Sequence, residues 1–394
     1  MPKLLFFPFL FVFYQIATFL SNDMYLPALP QIMCEFNLNR KIAQLTLTTW
    51  FLGLASMSLF MGVLSERYGR RSVLLLGGLI FLLGTILCTL APNIWIFFLG
   101  RFLEGGMVAS MLVPGYATIH ELYPRDEAIK IFALIGSINV LAPALGPLFG
   151  GIVLYLSNWR SIFGVILLLS MVALLALQKV MPETLPPEKR LSINIPQSAK
   201  RYWNIISNKR FMLYMSVLGL IFSGWITWIS AGSLLIIKKF QFSALAFGLI
   251  QALIFSVYIL GTRRVKYLIE LHGTNTIIWY GLLITLSAGF MILLLAFLFP
   301  NNLYLFLIAL AFYTFGYALC FPSLNRVIIE TSNEPMGIRV SLFLVFFTLY
   351  ATLGSVMASF FFNGTIISLA SLLTGAIVVA SMLRVWIYIN DKKR

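Results

Sequence analysis

The chain has 394 residues, 60% of them hydrophobic and only 10% charged, with a mean hydropathy of +0.94 and a formal charge of +15. A soluble protein of this length needs far more charge to cover its surface, so a soluble globular fold is excluded. The positive charge lies in short loops between apolar runs, with no basic domain and no arginine-rich tail, which argues against a nucleic-acid partner and for a lipid bilayer as the surroundings.

Apolar stretches of about 18 or more residues, each able to cross roughly 30 Å of hydrocarbon, recur from end to end. Twelve spans are expected, near 4–33, 43–64, 73–91, 94–119, 130–156, 160–179, 211–237, 244–262, 275–299, 302–328, 338–362 and 365–389. The first is longer than a bilayer needs, so it tilts, bends at Pro27 or Pro30, or emerges on one side. It has no A-x-A-like cleavage site and runs straight into SNDMYLP, which reads as a retained span rather than a signal peptide. Span five contains GSINVLAPALGPLFGG (136–151). Its prolines, Pro143 and Pro147, and its glycines fit either a rocking surface or a plain packing seam.

The longest polar segment, 180–210, is rich in proline and basic residues and splits the spans six and six. An all-α membrane protein of two pseudo-symmetric six-helix bundles, 1–179 and 211–394, joined by the linker 180–210, is therefore expected. With the N-terminus inside, only Arg40, Lys41, Arg160, Lys238 and Lys239 of the 28 Lys and Arg residues fall outside, and Arg101 lies within a span. Both termini and the linker should then be cytoplasmic. The loops GVLSERYGRR (62–71) and GTRRVKYLIELHG (261–273) echo one another weakly across the two halves. Cys34, Cys88 and Cys320 show no metal-ligand spacing and are expected to pack as small apolar residues; no metal or cofactor is expected.

Three ionisable residues stand inside spans, Asp23, Arg101 and Glu104, and none stands well inside the spans of the second half. A charge near the bilayer centre costs about 2.5–3.5 kcal/mol on insertion scales, so each calls for a partner, a water-filled cavity or a function. Helical rise puts Asp23 about 28 Å along span one, Arg101 about 10 Å into span four and Glu104 about 15 Å into it. A neighbouring Arg favours the ionised carboxylate and desolvation the neutral one, so Asp23 or Glu104 could exchange protons while Arg101 tunes it. The alternative is a permanently ionised clasp between two helices. Gln15, Phe19 and Asp23 recur at i, i+4 and i+8 and share a helix face that could line a cavity; Gln15 could instead bond a neighbouring helix.

GVLSERYGRR, with Gly62, Glu66, Arg67, Gly69, Arg70 and Arg71, resembles the signature loop between helices two and three of the major facilitator superfamily, Glu66 standing where Asp is usual. LGRFLEGG, with Arg101 and Gly105, resembles the Arg motif of helix four, with Glu104 in place of a commoner Gln. PALGPLFGG, with Gly146, Pro147, Gly150 and Gly151, resembles the helix-five motif typical of antiporters. SNDMYLPALP, through Asp23, Tyr25, Leu26, Pro27 and Pro30, resembles the helix-one motif of the Bcr/CflA-type drug-resistance exporters. The resemblance implies drug/proton exchange by alternating access. It also implies a gating role for the signature loop, Glu66 meeting the start of helix eleven near Gly337 and nearby Arg residues to latch the cytoplasmic side. A further helix-one carboxylate of some relatives is replaced here by Gln15, which cannot titrate.

In the second half Trp225, Trp228, Tyr258 and many phenylalanines could form an adaptable apolar surface, or could face the bilayer. Together with Gln15, Phe19, Asp23 and Asn139, the two tryptophans are the candidate substrate-binding residues. His120 and His272 near helix ends read as surface residues. The expectation is a monomeric inner-membrane exporter of small amphipathic or cationic compounds driven by protons. The alternative is a dedicated exporter of one metabolite such as a siderophore, sugar or amino-acid derivative, in which Arg101 could meet an anionic substrate. An enzyme is not expected, because there is no HExxH, no GxSxG and no paired histidines.

Overall fold

In the computed structural model the backbone is described for residues 2–190, 195–334 and 336–392, and side chains are not described for 1–5, 125–126, 129–130, 132–134, 136–140, 189, 191–199, 335–337 and 391–394. Among the described residues the regular structure is wholly helical. In order the helices are α1 (Pro2–Asp23), α2 (Leu29–Glu35), α3 (Arg40–Tyr68), α4 (Arg70–Leu90), α5 (Ile94–Leu122), α6 (Arg125–Leu156) and α7 (Trp159–Val180). They continue as α8 (Ile195–Ile206), α9 (Lys209–Ser233), α10 (Ala244–His272), α11 (Thr274–Leu298), α12 (Leu303–Glu330), α13 (Met336–Phe361) and α14 (Ile366–Lys392). Ten of these are long and apolar enough to cross a membrane. The other two expected spans correspond to α1 and to α6, whose described apolar part is Leu141–Leu156. The chain is thus an all-α, multi-pass membrane protein.

The first expected span is broken. α1 stops at Asp23, a single 3-10 turn covers Leu26–Ala28, and α2 carries the chain on to Glu35. The cause is Pro27, which has no N–H for the helix ladder; Ala28 N donates to Tyr25 O at 2.8 Å and closes the tighter turn instead. The last turn of α2 leaves Cys34 exposed, contrary to the expectation that all three cysteines are packed, while Cys88 and Cys320 are buried. His120 and His272 are exposed, as expected.

The chain divides into two compact units, one of residues 1–38, 46–195 and 244–249, the other of 39–45, 196–243 and 250–394. In the first unit α1 is the central helix, packed against α5, α6 and α7, with α4 paired along α5. In the second unit α9 is central, packed against α12, α13 and α14, with α11 paired along α12. The first helix of each half is therefore the one surrounded by the rest, and most of α9 is buried. α4 and α11 also begin alike, each after a glycine with positive φ, Gly69 at +96° and Gly273 at +79°, a conformation that a side chain would strain.

Small residues set how closely α6 approaches the end of α1. A Cβ placed on Gly150 would lie 2.8 Å from the Met24 carbonyl carbon and 3.0 Å from Pro27 Cγ, and one on Gly146 would meet the Asp23 backbone. Gly151 lies against Ala244 and Leu245 at the start of α10, a segment of the same unit. Pro147 is buried and Pro143 half-buried, both inside α6. The seam admits no methyl group at Gly150, because backbone faces it. Gly150→Ala should destabilise the protein by about 1–3 kcal/mol through overpacking. Gly164→Ala in α7, where a Cβ would meet nothing within 4 Å, should be neutral or slightly stabilising. Thermal unfolding of the two variants in detergent compares them; equal effects would remove the close-approach argument.

Candidate functional site

The last turn of α1 carries Ser21, Asn22 and Asp23, and all three are buried. α5 starts at Asn93, whose side chain accepts from Ile96 N at 3.1 Å. That cap sets the register which puts Arg101 and Glu104 on one face, three residues apart, and both are fully buried. Arg101 Nη1 donates to Glu104 Oε2 at 2.7 Å and to the Ser21 carbonyl at 2.7 Å. One guanidinium nitrogen therefore ties a carboxylate on its own helix to the backbone of α1. The Arg101 guanidinium also lies over the Tyr25 ring at 4.2 Å and near the Phe163 ring at 6.0 Å. Tyr25 OH in turn shares a hydrogen bond with Thr46 Oγ1 at 3.2 Å, and Trp50 Nε1 donates to Ser21 Oγ at 3.3 Å. The cation is thus caged by one carboxylate, one carbonyl and two aromatic faces.

Asp23 is held differently. Asn22 Nδ2 donates to Asp23 Oδ1 at 3.1 Å. Among the described residues no Lys or Arg forms an ion pair with it, and Arg101 pairs with Glu104. The three ionisable residues expected to act together do lie on the two helices α1 and α5 of one unit, but Arg101 reaches α1 through the Ser21 carbonyl. Arg101 Nε and Nη2 and Glu104 Oε1 are buried without a hydrogen-bond partner, so the cage keeps donor and acceptor capacity in reserve.

Gln15 is buried and donates from Nε2 to Tyr116 OH on α5 at 3.4 Å, so it does bond a neighbouring helix. Phe19 is half-buried on the same face of α1. The Asn139 side chain lies outside the described residues. Trp225 and Trp228 belong to the second unit and are buried there. Trp228 Nε1 donates to Gln251 Oε1 at 2.8 Å, and Trp225 meets Phe255 edge-on at 5.5 Å. The second unit also holds a stack that sequence reading did not single out: Phe222 and Phe347 lie parallel at 3.9 Å, with Tyr317 and Phe343 beside them.

In the signature loop Glu66 and Arg67 are exposed, and Arg67 lies over the ring of its neighbour Tyr68. Among the described residues Glu66 makes no ion pair, and Gly337, its expected counterpart, lies outside the described side chains. Arg70 Nη1 donates to Ser65 Oγ at 2.7 Å, Arg70 Nη2 lies 3.4 Å from Glu121, and Arg71 Nη2 donates to the Gln178 carbonyl at 2.7 Å. The carboxylate that sits at the start of α4 is Glu183, from the linker: its Oε1 accepts from Arg70 N at 2.8 Å and from Leu185 N at 3.1 Å, with Arg190 at 4.0 Å. A carboxylate at a helix N-terminus is favourable on its own physics. Glu183 was not legible as a partner, because the linker's path back to α4 has no signature; Ser21, Trp50 and Phe163 were missed because their roles depend on which way the neighbouring helices face. Trp50 did carry a hint as the lone tryptophan of its span.

The Major Facilitator Superfamily profile matches residues 11–355. The multidrug resistance protein MdtM of Salmonella typhimurium is 28% identical over 361 residues, 91% of this chain and 87% of that protein. The multidrug transporter MdfA of Edwardsiella ictaluri is 30% identical over 336 residues, 85% of this chain and 82% of that protein. Among solved structures, a POT family transporter in complex with 5-aminolevulinic acid superposes with a TM-score of 0.77 at 12% identity, covering 98% of this chain and 96% of that one. A bacterial homolog of the human lysosomal transporter Spinster gives 0.75 at 16% identity, covering 98% and 95%. At those identities the two structures speak to the fold alone, and it is the fold expected from the signature loop. With the match running from the first helix into the eleventh expected span, the chain belongs to the Major Facilitator Superfamily.

Proposed function

We propose that the protein is a proton-coupled secondary exporter of small amphipathic or cationic compounds, a multidrug efflux carrier rather than an enzyme, working by alternating access. The names of the MdtM and MdfA relatives support the efflux reading. The observation that carries the coupling is the contrast between two buried acids: Glu104 is tied to Arg101, whereas among the described residues Asp23 accepts from the Asn22 amide and forms no ion pair. A carboxylate hydrogen-bonded to a guanidinium is held in its charged form by that cation. A carboxylate held by an amide, with no ion pair of its own, can change its charge at a smaller structural cost.

On this reading Asp23 takes up the proton, and the Arg101–Glu104 pair holds α1 so that Asp23 stays where it is needed. When ionised, Asp23 favours a cationic cargo; when protonated, it releases it. Substrate contacts are assigned to Gln15, Phe19, Asp23 and Asn139 in the first half and to Trp225 and Trp228 in the second. The moving bodies are placed at 1–179 and 211–394, joined by 180–210. Conformational gating is assigned to Glu66, Arg67, Gly69, Arg70 and Arg71 and to the α6 seam of Pro143, Gly146, Pro147, Gly150 and Gly151. The carrier is placed as a monomer in a bacterial inner membrane, both termini cytoplasmic, following its distribution of basic loops. The unpartnered Nε and Nη2 of Arg101 favour one second reading, a carrier dedicated to a single metabolite with an anionic group.

In proteoliposomes, Asp23→Asn should reduce pH-gradient-driven movement of tetraphenylphosphonium to the level of empty vesicles while leaving thermal unfolding unchanged. Driven transport at the wild-type rate would refute the assignment. A parallel panel of anionic metabolites tests the dedicated-carrier reading, since driven movement of one anion with none of the cations would establish it. Arg101→Met alone should cost about 3–5 kcal/mol, because it strands a buried carboxylate. The double variant Arg101→Met with Glu104→Leu should recover most of that loss. Unfolding midpoints in detergent compare the two, and a double variant no better than the single one would mean that the pair is not a unit.

A further inference from the structure

The start of α11 holds a buried arginine that the transport reading does not use. Arg384, on α14, is 3% exposed. It was not legible in the sequence as an interior charge because it lies only five residues from the expected end of the last span. Its Nη2 donates to Asn275 Oδ1 at 3.0 Å, in the first turn of α11. Its guanidinium lies 5.1 Å from the Trp279 ring centre and 5.4 Å from that of Tyr214. Its Nε has no hydrogen-bond partner, and among the described residues no carboxylate pairs with it. A buried cation without an anion is costly, so the site is incomplete as it stands.

The first unit shows what completes such a place. α4 starts after Gly69 as α11 starts after Gly273, and neither glycine can cap the helix with a side chain. At α4 the Glu183 carboxylate fills the N-terminus. At α11 no side-chain cap is present, so its first N–H groups are left without one, and Arg384 is bonded to Asn275 in that same first turn. Counted from Trp159 and from Ile366, the nineteenth residue of α7 is the buried Leu177 and the nineteenth of α14 is Arg384. The second unit has an arginine where the first is satisfied with a leucine.

On the outer face of the same two helices an apolar groove of about 530 Å³ is lined by Leu286, Phe290, Ser381, Met382, Val385 and Trp386, among others. Ser381 Oγ is its buried polar atom and has no partner. Trp279 and Tyr388 meet edge-on at 5.8 Å across the helix pair, as aromatic side chains do at a membrane interface. A free phosphate would leave the groove empty, whereas a phospholipid would use the groove and the cation together. We propose that this corner binds an anionic phospholipid, its phosphate at the N-terminus of α11 beside Arg384 and Asn275 and one acyl chain along the α11–α14 groove.

The test is native mass spectrometry of the full-length protein released from detergent micelles. The protein is titrated with phosphatidylglycerol, with phosphatidylcholine of the same acyl chains, or with inorganic phosphate alone. The wild type should retain phosphatidylglycerol about tenfold better than phosphatidylcholine, the size of one charge-assisted contact. Arg384→Leu should remove that preference, and Ser381→Trp, which fills the groove and leaves the arginine, should weaken both lipids. Phosphatidylglycerol held equally well by Arg384→Leu overturns the proposal. So does inorganic phosphate displacing the lipid, or binding in its place without lipid selectivity. Should Arg384→Leu fail to fold, Arg384→Gln and Ser381→Trp decide on the same readouts, with an undiminished preference in both counting against the site.

Discussion

A guanidinium shut away from water must find its counter-charge inside the protein, and everything around the end of α1 follows from how Arg101 does so. A single nitrogen of Arg101 binds the Glu104 carboxylate and the Ser21 carbonyl, each at 2.7 Å. The carboxylate lies on its own helix and the carbonyl on the helix that the rest of the first unit surrounds. Removing either charge alone would leave the other stranded, so the pair is energetically a unit. Its specific contribution is positional. It fixes the last turn of α1 at Ser21, two residues before the helix ends at Asp23 and ahead of the turn at Leu26–Ala28.

That placement separates two kinds of acid. Glu104 is hydrogen-bonded to the Arg101 guanidinium, and Asp23, on the held turn, to the Asn22 amide. The Tyr25 face takes part of the arginine's field at 4.2 Å, and Gly146 allows α6 to lie directly against the Asp23 backbone. Asp23 is therefore packed among neighbours that cannot retreat from it. A side chain at either glycine of the seam would open a gap beside α1.

Much of this was legible in the sequence, for identifiable reasons. Span number follows from hydropathy, because a bilayer imposes length and apolarity on every crossing. Asp23, Arg101 and Glu104 stood out because an ionisable residue in hydrocarbon is expensive enough to need a cause. A bend at Pro27 is one of the readings that the length of the first span allows. What could not be read was azimuth and long-range partnership. Rise along a helix gives depth, but not which neighbour a side chain meets, so the sequence leaves open whether Arg101 serves Asp23 or Glu104, and it is Glu104 that it hydrogen-bonds. Glu183 and Arg384 were missed for related reasons. One reaches its helix start through a linker with no pattern, and the other sits where a span-end arginine normally snorkels to the surface, yet is buried between Tyr214 and Trp279.

The end of α1 and the middle of α9 are built from different materials. Arg101 alone engages a carboxylate, a carbonyl and two rings. A unit that hosts such a cage gives up much of its interior to satisfying it. The middle of α9 instead buries Trp225 against Phe255 and stacks Phe222 on Phe347 at 3.9 Å, ring contacts that impose no matching charge. Rings of this kind accept varied apolar shapes and discriminate weakly among them. On the proposed function, selection by charge then has to come from the first unit. On that same proposal Asp23, a buried acid of the first unit outside the Arg101–Glu104 pair, carries the dependence on protons, while breadth of substrate rests on the rings of the second, so the two can vary independently.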